Sequence, residues 1–260
     1  MDLEGALVVI GGGSQGIGAG FARVAAARGA REVVLLARRP GPLAETAAAI
    51  GPRATPRSVD LSDAAAVAAI AAEIRARSGV PDVVVASSAQ GRFLGLAESS
   101  AQDAVDAMAS TYFAAFYLFR EFIADMRARG SGRLVVVGSP VRAAPYPAIA
   151  YKASRHALHG LADGLSADLR GTGVGVTYAE PSRIIEGRYF ANNDVPIAKL
   201  PWFMRDERLR FLWQTEDDAG RMIARAVERD APVASPAWLR ALIRVGAAAG
   251  TGFWRAVLGD

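Results

Sequence analysis

Five short runs of the chain are apolar at nearly every position: Ala6-Leu7-Val8-Val9-Ile10, Glu32-Val33-Val34-Leu35-Leu36, Asp82-Val83-Val84-Val85, Arg133-Leu134-Val135-Val136-Val137 and Gly173-Val174-Gly175-Val176-Thr177. A strand covered on one face alternates apolar with polar residues, whereas one covered on both faces does not, so these runs predict buried strands of a parallel sheet. Between them a helical period predicts helices near 16–29, 41–50, 62–78, 99–129 and 150–171, the third opened by a cap signal at Ser62 and Asp63. This βαβα order predicts an α/β fold built on a doubly wound parallel sheet.

The pattern changes after about residue 181. From 181 to 213 no clean strand is readable, and Tyr189, Phe190, Trp202, Phe203, Phe211 and Trp213 stand among charges, as expected of a lid over a substrate. A helix is expected at 215–229. The tail, 236–258, carries Trp238, Leu239, Leu242, Ile243, Phe253, Trp254, Val257 and Leu258 with Arg240, Arg244 and Arg255. Its stripe is expected to pack on its own domain or oligomer, with peripheral contact to an anionic membrane as the lesser alternative. The stretch from Gly246 to Gly252 is expected to interrupt its helix. One domain over 1–260 is the simplest reading.

Composition narrows the function classes. The 260 residues are 52% hydrophobic and 22% charged, which excludes disorder, collagen and a disulfide scaffold. Cysteine is absent, removing thiolate nucleophiles and Cys-based zinc sites, and no metal is expected. Thirty Lys and Arg against 26 Asp and Glu leave a net charge of +4, with the basic residues scattered; this favours anionic ligands and gives no nucleic-acid signature. The start lacks a signal-peptide pattern and no apolar stretch approaches the roughly 18 residues of a membrane span, so a cytoplasmic protein is expected.

Directly after the first run stands Gly11-Gly12-Gly13-Ser14-Gln15-Gly16-Ile17-Gly18, leading into a helix. Glycines there allow a tight turn and close approach of a pyrophosphate, and the helix start offers free amides to the anion, so Gly12, Ser14, Gln15, Gly16, Ile17 and Gly18 are candidate cofactor residues. The same stretch reads as a Gly-x-Ser-x-Gly hydrolase elbow. That chemistry needs an upstream oxyanion loop and a histidine, yet one strand precedes Ser14, and the only histidines, His156 and His159, share a helix and suit packing or surface roles. About twenty residues past the last glycine the second strand ends at Arg38-Arg39, where an arginine pairs with the extra phosphate of NADP.

With these residues the chain resembles the short-chain dehydrogenase/reductase family, whose pattern is T-G-x-x-x-G-x-G, an Asp after the third strand, N-N-A-G, and Ser with Y-x-x-x-K. Gly12, Gly16 and Gly18 match the loop, Asp60-Leu61 the adenine-binding pair, and Tyr151 the head of the signature helix. The resemblance implies a Rossmann-type three-layer α/β/α sandwich, a nicotinamide cofactor touched also by Ser88, Pro181 and Ile184, and a homodimer or homotetramer formed through helices near 99–129 and 150–171. It places the catalytic serine at Ser139, twelve residues before Tyr151 where thirteen is usual. The family's Lys becomes Arg155, its central-helix Asn becomes Thr111, its N-N-A-G becomes Ala86-Ser87-Ser88-Ala89, and its late Thr becomes Glu186.

Carbonyl reduction needs a hydride and a proton, and a tyrosine hydroxyl beside a cation delivers the proton, which makes Tyr151 the candidate acid and Arg155 its cation. Arg155 stays protonated and cannot exchange a proton as an amine does. The expected function is NADP(H)-dependent reduction of a ketone or aldehyde on a bulky apolar small molecule. A redox-neutral cyclase, isomerase or dehydratase on the same fold is the alternative, and an NADP-binding regulatory protein without turnover is the third.

Overall fold

In the computed structural model, which describes residues 1–140, 148–185, 189–193, 195 and 205–258, the first apolar run forms β1 (Leu7–Gly11) and turns directly into helix α1 (Gly16–Ala27). There follow β2 (Glu32–Ala37), α2 (Pro40–Ile50), β3 (Ala54–Ser58), α3 (Ala64–Ser78) and β4 (Val83–Ala86). The second half holds α4 (Ala101–Met108), α5 (Ala114–Arg129), β5 (Gly132–Val137), α6 (Ile149–Asp168) and β6 (Val174–Ala179). A single helical turn, α7 (Tyr189–Asn192), precedes α8 (Glu216–Glu228), β7 (Val233–Ala234) and the last helix, α9 (Ala237–Leu258).

All strand pairs are parallel, in the order β3-β2-β1-β4-β5-β6-β7. The order reverses between β1 and β4, and a crevice opens there at the carboxyl ends of the strands. Successive residues of each central strand feed two separate cores. Leu7, Val9, Val34, Leu36, Val84, Leu134 and Val136 pack with Phe119, Phe122, Met126 and Leu158 on one face. Val8, Ile10, Val33, Leu35, Val83, Val85, Val135 and Val137 pack with Phe21, Leu43, Ile223 and Val227 on the other. Helices therefore cover both faces, which is why the strands read as unbroken apolar runs.

Four features depart from the sequence reading. β3, Ala-Thr-Pro-Arg-Ser, is an edge strand paired only with β2; polar residues and a proline are tolerated there, and no apolar run announces it. β7 is two residues long and equally silent. The helix expected at 99–129 is divided by a π turn at Ala109–Phe113 between α4 and α5, which keeps the helix going while shifting its phase. The break expected between Gly246 and Gly252 does not occur, since α9 runs unbroken through both. Each glycine costs a helix only about 1 kcal/mol relative to alanine, and Ala247, Ala248 and Ala249 lie between them.

Asp63 alone caps α3, its carboxylate accepting from the amides of Ala65 and Ala66 at 2.9 and 3.1 Å. No described helix is long and apolar enough to cross a membrane. α8 lies tight against α1, because a side chain at Gly20 would collide with the carbonyl of Glu216 and one at Gly220 with the carbonyl of Gly20.

Candidate active site

A cleft of about 620 Å³ lies at the carboxyl ends of the strands. Its floor is the glycine loop. Gly12 and Gly16 have φ of 84° and 63°, a backbone that side chains disfavour. A Cβ at Gly12 would stand 2.5 Å from the amide of Ser88, so the loop leans directly on the chain leaving β4. Ser14, Gln15, Gly16, Ile17 and Ser88 also line the cleft. Gly18 does not; it packs against the carbonyl of Gly12 and seats α1 on the loop. The Gly16 amide donates to Glu216 Oε1 at 2.9 Å, and Arg23 holds the other oxygen of that carboxylate at 3.1 Å.

At one end of the cleft stand Arg38, Arg39, Asp60 and Leu61. Arg38 donates to Gln90 Oε1 at 2.9 Å and Arg39 to Gln15 Oε1 at 2.8 Å, so each bonds a neutral carboxamide. Asp60 Oδ1 accepts from the amide and hydroxyl of Ser62 at 2.9 and 2.7 Å. Burial pulls this carboxyl upward, but the Ser62 bonds and the charge of Arg38 outweigh it and leave the group below its ordinary pKa.

Further along lie Ser139, Tyr151 and Arg155. Ser139 follows β5, while Tyr151 and Arg155 stand one turn apart on α6. The Tyr151 ring is buried against Phe93, centroids 5.0 Å apart, and a Cβ at Gly91 would lie 3.1 Å from it. Gly91 donates its amide to Asn193 Oδ1 at 2.9 Å, which ties residue 193, within the 181–213 segment, to the loop that packs on the tyrosine. Arg155 is buried beneath, its guanidinium carbon 4.7 Å from the Tyr151 ring centroid and Nη1 donating to the Val137 carbonyl at 3.2 Å.

Thr111 is not brought to the cleft. It is buried within the π turn with no hydrogen-bond partner for its hydroxyl among the described residues, and Ser110 and Ala114 line the cleft in its place. The extra residue of the turn displaces the position that spacing alone selects. His156 is exposed, and His159 packs edge-on to Tyr178 and lies 3.1 Å from Asp163, far in role from a base for Ser14.

Pro181 and Ile184 line the cleft, held by a clip in which Gln214 accepts from the Ser182 amide at 2.8 Å and exchanges backbone bonds with Arg183 and Ile185 at 2.9 Å. Sequence reasoning missed Phe93, Ser110 and Arg183 as lining residues. Arg183 stacks on Trp213, 3.9 Å from the ring centroid, a pairing across thirty residues that no local motif announces. Trp238, Leu239, Leu242 and Ile243 of α9 complete an apolar wall. Glu186, Trp202 and Phe203 lie outside the described residues, as do the side chains of Tyr189, Phe190, Phe253, Trp254, Val257 and Leu258.

A family model described as short chain dehydrogenase matches residues 6–186. A galactitol 2-dehydrogenase (L-tagatose-forming) of Cereibacter sphaeroides is 33% identical, covering 70% of this chain and 72% of that protein. An uncharacterized oxidoreductase of Mycobacterium tuberculosis is 34% identical over 77% of this chain and 82% of its own. Among solved structures, a short chain dehydrogenase/reductase from Burkholderia phymatum in complex with NAD superposes with a TM-score of 0.83 at 23% identity, covering 95% of both chains. A metagenomic short-chain oxidoreductase in complex with NADP gives 0.73 at 26% identity, over 90% of this chain and 96% of that one. By the family match and these identities, the chain belongs to the short chain dehydrogenase family and is an oxidoreductase.

Proposed function

We propose that the chain reduces a ketone or aldehyde on a bulky apolar small molecule with NADP(H). The observation that carries this reading is that Ser139, Tyr151 and Arg155 share one cleft with the glycine loop and with Arg38 and Arg39. The residues present fit the dinucleotide. Gly12 leaves no room for a Cβ, which keeps the loop backbone low. Arg38 and Arg39 make no ion pair with described residues and keep donors for a 2′-phosphate. Asp60 and Leu61 suit the adenine end; Ser88, Pro181 and Ile184 suit the nicotinamide end.

A nicotinamide dinucleotide held by these residues would supply the hydride for the carbonyl carbon. Ser139 donates a hydrogen bond to the carbonyl oxygen, and the Tyr151 hydroxyl gives its proton to that oxygen as it gains charge, so the product is the alcohol. Arg155 holds the Tyr151 ring and keeps a positive charge beside it; with guanidinium fixed in its protonated form, the tyrosine is reprotonated from water rather than through this residue. The apolar wall from α9 supports a bulky apolar substrate rather than a polyol.

The reading includes one domain over 1–260, with 181–213 as lid and the tail as a wall of the pocket. It also includes a homodimer or homotetramer through the helices of 99–129 and 150–171, supported by the exposed rings of Phe113 and Phe116 and the open groove at Gly160 and Gly164. The test is stoichiometry: one NADPH consumed per alcohol formed supports the reductase. Product without net oxidation transfers the site to a redox-neutral reaction, and NADPH binding without turnover to a regulatory role.

A further inference from the structure

The helix that follows the glycine loop is not capped by the residue before it. Among the described residues Gln15 makes no side-chain bond to the first turn of α1, and its carboxamide oxygen accepts from Arg39 at 2.8 Å instead. The first amide of α1 goes to a carboxylate 200 residues away: the Gly16 N–H donates to Glu216 Oε1 at 2.9 Å. Glu216 Oε2 accepts from Arg23 Nη2 at 3.1 Å, and Asp217 Oδ1 accepts from Arg23 Nε at 2.8 Å. Gly16, Gly20 and Arg23 lie four and three residues apart and so share one face of α1. On that face Gly20 lets the backbone of α8 come close, because a Cβ there would collide with the Glu216 carbonyl.

An amide in the first turn of a helix has no partner within the helix and needs one outside it. Glu216 gives Gly16 that partner, and with its side chain only 18% exposed little water competes for the bond. Arg23 pairs with the carboxylate, which offsets its repulsion toward an anion at the same helix start. Gly16 is the left-handed pivot between loop and helix, with φ of 63°, and Ile17 after it lines the cleft. We propose that Glu216 is a positioning residue of the dinucleotide loop, holding Gly16 from α8 so that the amides behind it are already set for a pyrophosphate when the cofactor arrives. This rests on reading the loop as the cofactor seat. Reach carries the effect more than charge does, because α1 and α8 already touch at Gly20 and cannot close up to meet a shorter side chain.

The test titrates the full chain calorimetrically with NADP+ and with adenosine 2′-monophosphate, which lacks the pyrophosphate. Glu216→Asp keeps the charge but shortens the side chain by roughly 1.5 Å, whereas Glu216→Gln drops the charge and keeps an oxygen in place. Glu216→Asp and Glu216→Ala are expected to bind NADP+ about tenfold more weakly and the monophosphate as the parent does, and Glu216→Gln to stay within about threefold of the parent for both. Without nucleotide, hydrogen exchange at the Gly16 amide should quicken by about tenfold in Glu216→Asp and hold in Glu216→Gln. Unchanged NADP+ affinity in Glu216→Asp, equal weakening of both ligands, or Glu216→Gln as weak as Glu216→Asp overturns the proposal. A parent chain that binds no NADP+ removes the reading of the cofactor seat and this proposal with it; a parent that binds NADP+ while the variants match it removes the proposal alone.

Discussion

The guanidinium of Arg155 lies against the ring of Tyr151, 4.7 Å from its centroid, and is anchored to the sheet through the Val137 carbonyl. The cation thus touches the side chain proposed to move the proton and fixes it to β5. Removing only the hydroxyl, Tyr151→Phe should lower kcat at least about a hundredfold, with NADPH affinity and melting temperature nearly unchanged. Arg155→Lys keeps the charge and adds an exchangeable proton, so kcat should be equal or higher; Arg155→Met should lower it by about tenfold or more. Steady-state kinetics with fluorescence titration of NADPH separates these outcomes. Undiminished turnover in Tyr151→Phe would falsify the assignment of the acid.

Cofactor choice should follow Arg38 and Arg39, whose described partners are neutral carboxamides. The chain is expected to bind NADPH more than about tenfold tighter than NADH, and Arg38→Asp to narrow or reverse that ratio. Titration of both dinucleotides measures it, and equal affinities in the parent chain would remove the assignment.

Asn193 holds the Gly91 amide, and Gly91 packs on Tyr151. Asn193→Asp keeps an acceptor at Oδ1 and should retain kcat within about threefold, whereas Asn193→Leu should lower it by about tenfold while leaving the dinucleotide Kd in place. A parallel loss of cofactor binding would mean that the bond supports the fold at large.

Acid should loosen the start of α8. Arg221 and then Thr215, bonding the carboxylate, lower Asp218 to about 2. Because the unfolded value is about 3.9, this contribution is complete above that pH and is lost as pH falls through about 2. Asp218→Asn should therefore melt lower than the parent at neutral pH, with the gap closing between about pH 4 and 2. A gap independent of pH in scanning calorimetry would contradict this.

Removing α9 should open the apolar wall. A chain ending at Ala234 is expected to show a KM for a bulky ketone raised by about tenfold, with NADPH still bound. Neither form should float with anionic liposomes; co-migration of the intact chain alone would make α9 a membrane contact.

What the sequence revealed and what it hid divide by distance along the chain. The glycine loop, Arg38-Arg39 and the Tyr151–Arg155 pair are local patterns, and the two-faced strands β1, β2, β4 and β5 declare themselves by unbroken apolar runs. β3 stayed hidden because an edge strand with Pro56 and Arg57 satisfies no burial pattern. Asn193 with Gly91 and Glu216 with Gly16 lie 102 and 200 residues apart. Only the folded topology brings them together.

The π turn at Ala109–Phe113 makes residue identity at the cleft a matter of counting. One surplus residue turns everything beyond it by about 100° relative to an α-helix. Ser110 and Ala114 look into the cleft, Thr111 into the protein, and Phe113 and Phe116 outward. Relatives that gain or lose a single residue in this stretch would exchange the group presented to the substrate without altering any side chain. Column-by-column matching of Thr111 to a family asparagine therefore compares letters that need not occupy the same point in space.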